Sequence, residues 1–284
     1  MKILLTGAAG FTGLFFKSAA EAAGHHVVDL QSDLTDKADV AADVLQVAPE
    51  SVVHLAAISF VGHADETAFY DVNVVGTMNL LAGLAALPVK PSMVLLASSA
   101  NVYGNCDASP ITEEQPAAPV NHYAMSKLAM EHMARTYLDR LPVLFSRPFN
   151  YTGPGQASNF LIPKLVSHFA QRAPAIELGN LNVEREFNDV RMVCDAYLAL
   201  LTQGVSGEVY NVCSGQPYTL HHMIGLLSEM TGHTIDVHVN PAFVRANEVH
   251  RLCGSPNKLL AYTGGLPNYR LRDTLQWMLE KASQ

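Results

Sequence analysis

Apolar residues in the first half of the chain fall into short runs rich in Val, Leu and Ile, separated by longer stretches whose apolar positions recur at helical spacing. Uninterrupted apolar runs mark strands buried on both faces, so the alternation is that of a parallel sheet covered by helices on either side. It predicts strands over 2–6, 26–30, 51–55, 92–97 and 143–147, and helices over 13–23, 37–47, 66–86 and 123–141. Beyond Asn150 the punctuation changes, with Gly153, Pro154 and Gly155 opening a stretch of mixed short elements and polar loops. This predicts a second, smaller lobe over 151–284. Within it, 189–201 is apolar at helical spacing and is expected to return to the first lobe, so that 189–213 belongs with 1–150 and the lobes interleave.

Composition narrows the function. Of 284 residues 49% are apolar and 15% charged, enough for a large core; 18 Lys and Arg stand against 26 Asp and Glu, a net charge of −8. A chain with no basic stripe is not expected to bind nucleic acid or an anionic membrane, because phosphate neutralisation needs clustered cations. Cys106, Cys194, Cys213 and Cys253 are scattered without a C-x-x-C pair, and the paired histidines His25-His26 and His221-His222 lack metal-ligand spacing, so neither a disulfide framework nor a metal site is read here. The apolar run at the amino terminus is too short for a signal peptide, and no run reaches the roughly 20 residues that span a bilayer. The expectation is a soluble, cytoplasmic protein.

The chemistry begins where the first strand runs into Gly7-Ala8-Ala9-Gly10-Phe11-Thr12-Gly13 and then a helix. Strand, glycine turn and helix form the context of a dinucleotide site: the glycines let the backbone approach a pyrophosphate, and the free amides of the helix start hold it. The fold class is therefore α/β, a Rossmann-type doubly wound parallel sheet with a smaller C-terminal lobe. A ribose-binding carboxylate is due about 20 residues on, and both Asp29 and Asp33 qualify, the latter in the turn Asp33-Leu34-Thr35-Asp36. A carboxylate repels the extra phosphate of NADP(H) and tips the choice toward NAD(H), with Lys37 as a nearby opposing cation. Further on, Tyr123 and Lys127 stand four apart on a predicted helix, so the ammonium shares a face with the phenol and is expected to lower its pKa from about 10. That spacing is common by chance. It gains meaning from Ser98-Ser99-Ala100-Asn101, which puts hydroxyls at the carboxyl edge of the sheet, where open α/β sheets bind ligands. A turn cap is the alternative role for Ser99.

Taken together, residues 7–13, His54-Leu55-Ala56-Ala57, Asn73, 98–104 and the Tyr123/Lys127 pair resemble the extended short-chain dehydrogenases/reductases, which modify nucleotide sugars. The second half, with residues 147–156, Gly179-Asn180-Leu181, 185–190, 210–215 and 245–249, is similar to the branch of GDP-mannose 4,6-dehydratase and GDP-4-keto-6-deoxy-D-mannose reductase. The resemblance implies that Tyr123 gives a proton to the sugar oxygen, Lys127 holds the nicotinamide ribose, and Ser99 hydrogen-bonds the reacting oxygen. It implies a cofactor site of Gly7, Gly10, Phe11, Thr12, Gly13, Asp29, Asp33, Leu34, Leu55, Ala56, Ala57 and Asn73, beside Tyr123 and Lys127. Ser59, Asn101, Asn150, Arg185, Arg245 and Glu248 would meet the GDP-linked substrate in a nucleotide-sugar-binding lobe. A homodimer formed through a four-helix bundle is implied too.

One departure selects the reaction. The dehydratases carry a Glu two residues after the catalytic hydroxyl to remove a sugar proton, and this chain has Asn101, an amide without useful basicity. The reading is therefore a reductase acting on the 4-keto group of a GDP-4-keto-6-deoxyhexose, with a product of GDP-D-rhamnose type. Its rivals are a nucleotide-sugar 4-epimerase, which recycles a retained cofactor, and a non-catalytic dinucleotide sensor. His63 and His122 fall in loops expected to face the sugar, where ordinary loop histidines are the simpler account.

Overall fold

The computed structural model describes residues 1–61, 64–244 and 250–282. The chain begins β1 (Lys2–Thr6), α1 (Phe11–Ala22), β2 (His26–Asp29), α2 (Lys37–Val47), β3 (Ser51–His54), α3 (Glu66–Tyr70), a π-helical turn (Asp71–Gly76) and α4 (Thr77–Ala86). It continues β4 (Met93–Ala97), a 3-10 turn (Ala100–Tyr103), α5 (His122–Arg135), β5 (Val143–Pro148), β6 (Tyr151–Thr152), α6 (Leu161–Ala170), β7 (Ala175–Leu178), β8 (Glu184–Glu186), β9 (Asn188–Asp189) and α7 (Val190–Gln203). It ends with β10 (Val209–Val212), β11 (Pro217–Thr219), α8 (Leu220–Thr231), β12 (Asp236–Val239), β13 (Arg251–Leu252), α9 (Asn257–Thr263) and α10 (Leu271–Ala282).

Six parallel strands in the order β2-β1-β3-β4-β5-β10 form the central sheet of a Rossmann-type fold. Successive strand side chains point to opposite faces, and both faces are covered. Ile3, Leu5, Val53, Leu95 and Val212 pack under α1 and α7, while Leu4, Val52, Val94, Leu96 and Phe145 pack under α2, α4 and α5. The chain leaves β1 toward β2 on one side and returns to place β3 on the other, so the topological switch point lies between the carboxyl ends of β1 and β3. Open α/β sheets bind ligands at that crevice.

α7 packs on α1 and β4, and β10 adds to the edge of β5. The second lobe has its own core, in which Ile162, Leu165, Phe169, Leu227, Leu275 and Met278 of α6, α8 and α10 close over β7. No helix among the described residues is long and apolar enough to cross a membrane.

Two elements differ from the periodicity. The helix expected over 66–86 is interrupted by the π-helical turn at Asp71–Gly76, because the buried Asn73 side chain is claimed by groups outside the helix: its Oδ1 accepts from Ile58 N at 3.0 Å and its Nδ2 donates to Ser126 Oγ at 2.9 Å. Such wide turns are common at functional sites. The helix expected to reach 141 stops at Arg135. There the Thr136 hydroxyl donates to Met133 O, and a run of turns carries Leu141 into the core just before β5.

Candidate active site

At the switch point the glycine turn lies flat against the loop that follows β3. Gly7 has φ +71°, and a Cβ there would stand 2.7 Å from Ala56 N; a Cβ on Gly13 would stand 2.1 Å from Gly7 O. Only glycine permits this approach. The start of α1 carries no side-chain cap and no acidic residue in its first turn, whereas Asp36, Asn121 and Asp189 cap α2, α5 and α7. Its unclaimed amides suit an anion. Asp29, at the end of β2, binds Lys17 through Oδ2 at 2.7 Å, while its buried Oδ1 has no partner among the described residues. Asp33 spends Oδ1 on the amide and hydroxyl of Thr35, both at 2.8 Å, and those two bonds pull its pKa down. Of the two carboxylates, Asp29 is the one with a buried oxygen still to satisfy. A glycine cradle, uncapped amides and an orphaned carboxylate oxygen together fit a dinucleotide, and the cation beside that carboxylate is Lys17.

Other expected cofactor residues are placed as follows. Leu34 is buried beneath α4, and its carbonyl accepts from Asn79 Nδ2 at 2.9 Å. The Thr12 hydroxyl meets the Tyr151 hydroxyl at 2.8 Å, and Phe11 stacks on the Tyr151 ring. Leu55, Ala56 and Ala57 line the loop facing the glycine turn, and Leu55 N and Ala56 N donate to Thr6 O and Thr6 Oγ1. Ser59 is exposed farther along that loop.

Ser99, Tyr123 and Lys127 meet at the carboxyl edge of β4. Ser99 caps the 3-10 turn, its Oγ accepting from Asn101 N at 3.2 Å, and its side chain also meets the Tyr123 phenol. Both proposed roles for this serine are therefore sterically compatible. Tyr123 is 8% exposed and Lys127 4%. Lys127 Nζ donates to Ala97 O at 2.7 Å. The expected lowering of the phenol pKa is absent. Burial raises it, opposed by the hydrogen bond with Ser99, because a desolvated phenolate costs more than the serine returns. Burial also pushes the Lys127 ammonium down to about 8, against the charge of Glu131. The result is a neutral phenol one helical turn from an ammonium whose pKa burial lowers to about 8.

Behind these residues runs a buried line of hydrogen bonds. The Thr77 hydroxyl donates to Asn73 O at 2.7 Å and so accepts from His54 Nε2, 2.8 Å away; His54 Nδ1 then accepts from the Thr6 hydroxyl at 2.7 Å. This fixes a neutral imidazole with its proton on Nε2. Burial, helped by the charge of Lys127, lowers the His54 pKa to about 3. The unfolded chain takes up this proton below about pH 6.5 and the native chain refuses it until about 3, so stability falls as pH drops through that window. The expected slope starts at half its limit near pH 6.5 and approaches about 1.4 kcal/mol per pH unit below about pH 5.5. Urea titrations of the wild type and His54→Gln check this, and a wild-type stability flat from pH 7 to 5 contradicts it.

The substrate-side candidates are more dispersed. Asn150 is exposed just past β5, with its carbonyl bonded to Asn188 N, which ties the end of β5 to β9. Arg185 lies half-buried on β8, and its neighbour Glu186 points the other way, accepting from Ser214 N, Gly215 N and Gly254 N. Arg245, Glu248 and His63 lie outside the described residues. His122 starts α5, paired with Glu66 at 3.2 Å and with Tyr70.

Residues 16–278 match the family of GDP-mannose 4,6 dehydratase. The chain belongs to that family. It is 38% identical over 270 residues to GDP-6-deoxy-D-talose 4-dehydrogenase of Aggregatibacter actinomycetemcomitans, covering 93% of this chain and 92% of that one. It is 35% identical over 294 residues to GDP-6-deoxy-D-mannose reductase of Pseudomonas aeruginosa, covering 98% and 96%. The structure of RMD from Pseudomonas aeruginosa complexed with NADPH superposes at a TM-score of 0.93 and 33% identity, over 99% of this chain and 98% of the other. The protein is thus an NAD(P)-dependent enzyme of the short-chain dehydrogenase/reductase class.

Three buried polar groups to which the motifs assign no role stand behind Ser99, Tyr123 and Lys127. His54 opens the stretch His54-Leu55-Ala56-Ala57, and its partners Thr6 and Thr77 are polar residues at core positions, which is the signal of it in the sequence. Ser126 bridges Asn73 to the Tyr123 carbonyl. Glu131 lies one turn past Lys127, and extending the four-residue spacing once more would have found it.

Proposed function

We propose that the protein reduces the 4-keto group of a GDP-4-keto-6-deoxyhexose, giving a GDP-6-deoxyhexose of GDP-D-rhamnose type. The observation that carries this reading is the cluster of Ser99, neutral Tyr123 and Lys127 at the sheet edge, next to a glycine cradle shaped for a dinucleotide. When bound, the dihydronicotinamide supplies hydride. The chain's residues do the rest: Ser99 orients the ketone oxygen, Tyr123 gives its phenolic proton to that oxygen, and Lys127 holds the ribose and the geometry. Water then restores the phenol. Asn101 cannot abstract a carbon-bound proton, so elimination of water is disfavoured. Both relatives are named for oxidoreduction of GDP-linked 6-deoxyhexoses, which supports guanosine and the 6-deoxy sugar. Arg185 and Asn150 are assigned to the nucleoside diphosphate, where a guanidinium suits phosphate.

Asp29 is assigned to the adenosine ribose diol, through Oδ1, which favours NAD(H) over NADP(H). Purified protein given the GDP-linked ketosugar and NADH is expected to consume one cofactor per product, faster than with NADPH. Asp29→Asn should narrow that preference by about tenfold, the loss of one charged hydrogen bond. Turnover without added cofactor would instead identify a 4-epimerase, and no turnover across GDP-, UDP- and dTDP-ketosugars would revive the sensor.

The homodimer is assigned to the face where Val75, Met78 and Met125 stand exposed on the π-helical turn, α4 and α5. Sedimentation velocity is expected to show a dimer that Met78→Glu dissociates; a wild-type monomer at micromolar concentration removes this assignment.

A further inference from the structure

Three buried residues on one face of α5 follow each other at four-residue spacing: Tyr123, Lys127 and Glu131. Side chains so spaced are neighbours on a helix. Glu131 is 2% exposed and binds Arg147 of β5 through both oxygens, Oε1 to Nε at 2.9 Å and Oε2 to Nη2 at 2.7 Å. The Arg147 guanidinium also stacks over the Tyr103 ring, and both residues are buried. Lys127, whose Nζ donates to Ala97 O, therefore has one turn along its own helix a buried carboxylate that is already paired with the Arg147 cation.

We propose that Glu131 is the positioning residue that holds Lys127 as an ammonium, and that Arg147, by occupying both oxygens of the same carboxylate, limits how firmly it does so. The other titratable groups around Lys127 cannot take the role. On β3, His54 is locked neutral between Thr6 and Thr77. On α5 and the 3-10 turn, Tyr123 and Tyr103 are buried phenols whose pKa burial raises. On β5, Arg147 is itself a cation. Asp71 on the π-helical turn is exposed, as is the Glu66–His122 pair of α3 and α5, and water screens such charges. Among the described residues that leaves Glu131 as the buried countercharge, and its field is what opposes the fall of the Lys127 pKa on burial. The catalytic consequence rests on the reductase reading above; the charge sharing does not.

The test reads Lys127 directly. In full-length protein labelled with carbon-13 lysine, the Lys127 resonance is assigned by its loss in Lys127→Met and followed with pH. The wild-type midpoint is expected near 8. Glu131→Gln should lower it by about one pH unit or more, and Arg147→Met, which leaves the carboxylate to Lys127 alone, should raise it. Opposite shifts are what loosened packing cannot produce, since both variants break the same pair. Should Glu131→Gln not fold, the double variant Glu131→Gln with Arg147→Met removes both charges and should still lower the midpoint. An unchanged midpoint, or shifts of the same sign in the two single variants, overturns the proposal. The basic limb of kcat/KM should track the resonance. A shifted resonance with an unshifted limb upholds the charge sharing and overturns the catalytic role given to Lys127.

Discussion

Tyr123→Phe is expected to lower kcat about 10³-fold while leaving KM for the nucleotide sugar and the affinity for dinucleotide nearly unchanged, the pattern of a lost general acid. The variant removes one oxygen from a residue that is 8% exposed, and its ring still packs against Phe69. Stability should therefore fall by no more than about 1 kcal/mol, the value of one hydrogen bond. The raised phenol pKa gives the sign of the pH effect: the group stays protonated through neutrality, so the wild type should keep its proton donor well above pH 8, and any earlier loss of activity belongs to Lys127. Steady-state kinetics with the ketosugar and thermal melts check both halves. Turnover equal to wild type removes Tyr123 from the role of proton donor.

Gly13→Ala is expected to abolish detectable dinucleotide binding and to lower stability by about 1–3 kcal/mol. A Cβ at this position would lie 2.1 Å from Gly7 O, 2.7 Å from Ala8 Cα and 2.8 Å from Ala8 O. All three atoms are main chain, so no side chain can rotate away and the turn itself must open. Opening it spoils the approach of backbone to pyrophosphate. Gly225→Ala on α8 is the control. Its Cβ meets nothing within 4 Å, and alanine in a helix is favoured over glycine by roughly 0.5–1 kcal/mol. Fluorescence titration with NADH together with urea unfolding decides the matter; wild-type affinity in Gly13→Ala would remove the glycine turn from the cofactor site.

The strands of the sheet were legible because burial on both faces leaves a continuous apolar run, and the bounds read for β1 and α2 match the folded chain. Helix interruptions were not. A π-helical turn adds a fraction of a residue to one turn, too little to disturb an apolar pattern across twenty positions, and its cause, the hold of Ile58 and Ser126 on Asn73, joins segments far apart in sequence. The site was legible as far as local spacing reaches. Four-residue spacing put Tyr123 beside Lys127, but only the fold shows that the Ala97 carbonyl takes the ammonium and that burial reverses the expected shift of the phenol. Asp29 and Asp33 could not be separated by distance from the glycine turn. The clue was Thr35, two residues after Asp33, which marks a carboxylate turned onto its own backbone.

The interleaving of the lobes sets how this molecule can move. After β9 the chain goes back through α7 and β10, out again to β11, α8 and β12, back to α9 against α7 and β10, and out once more to α10. A hinge bends at a few backbone torsions, and here the chain makes several separate crossings. A wide clamshell opening has to bend all of these crossings together, so local yielding of loops is the less costly way for ligands to enter and leave.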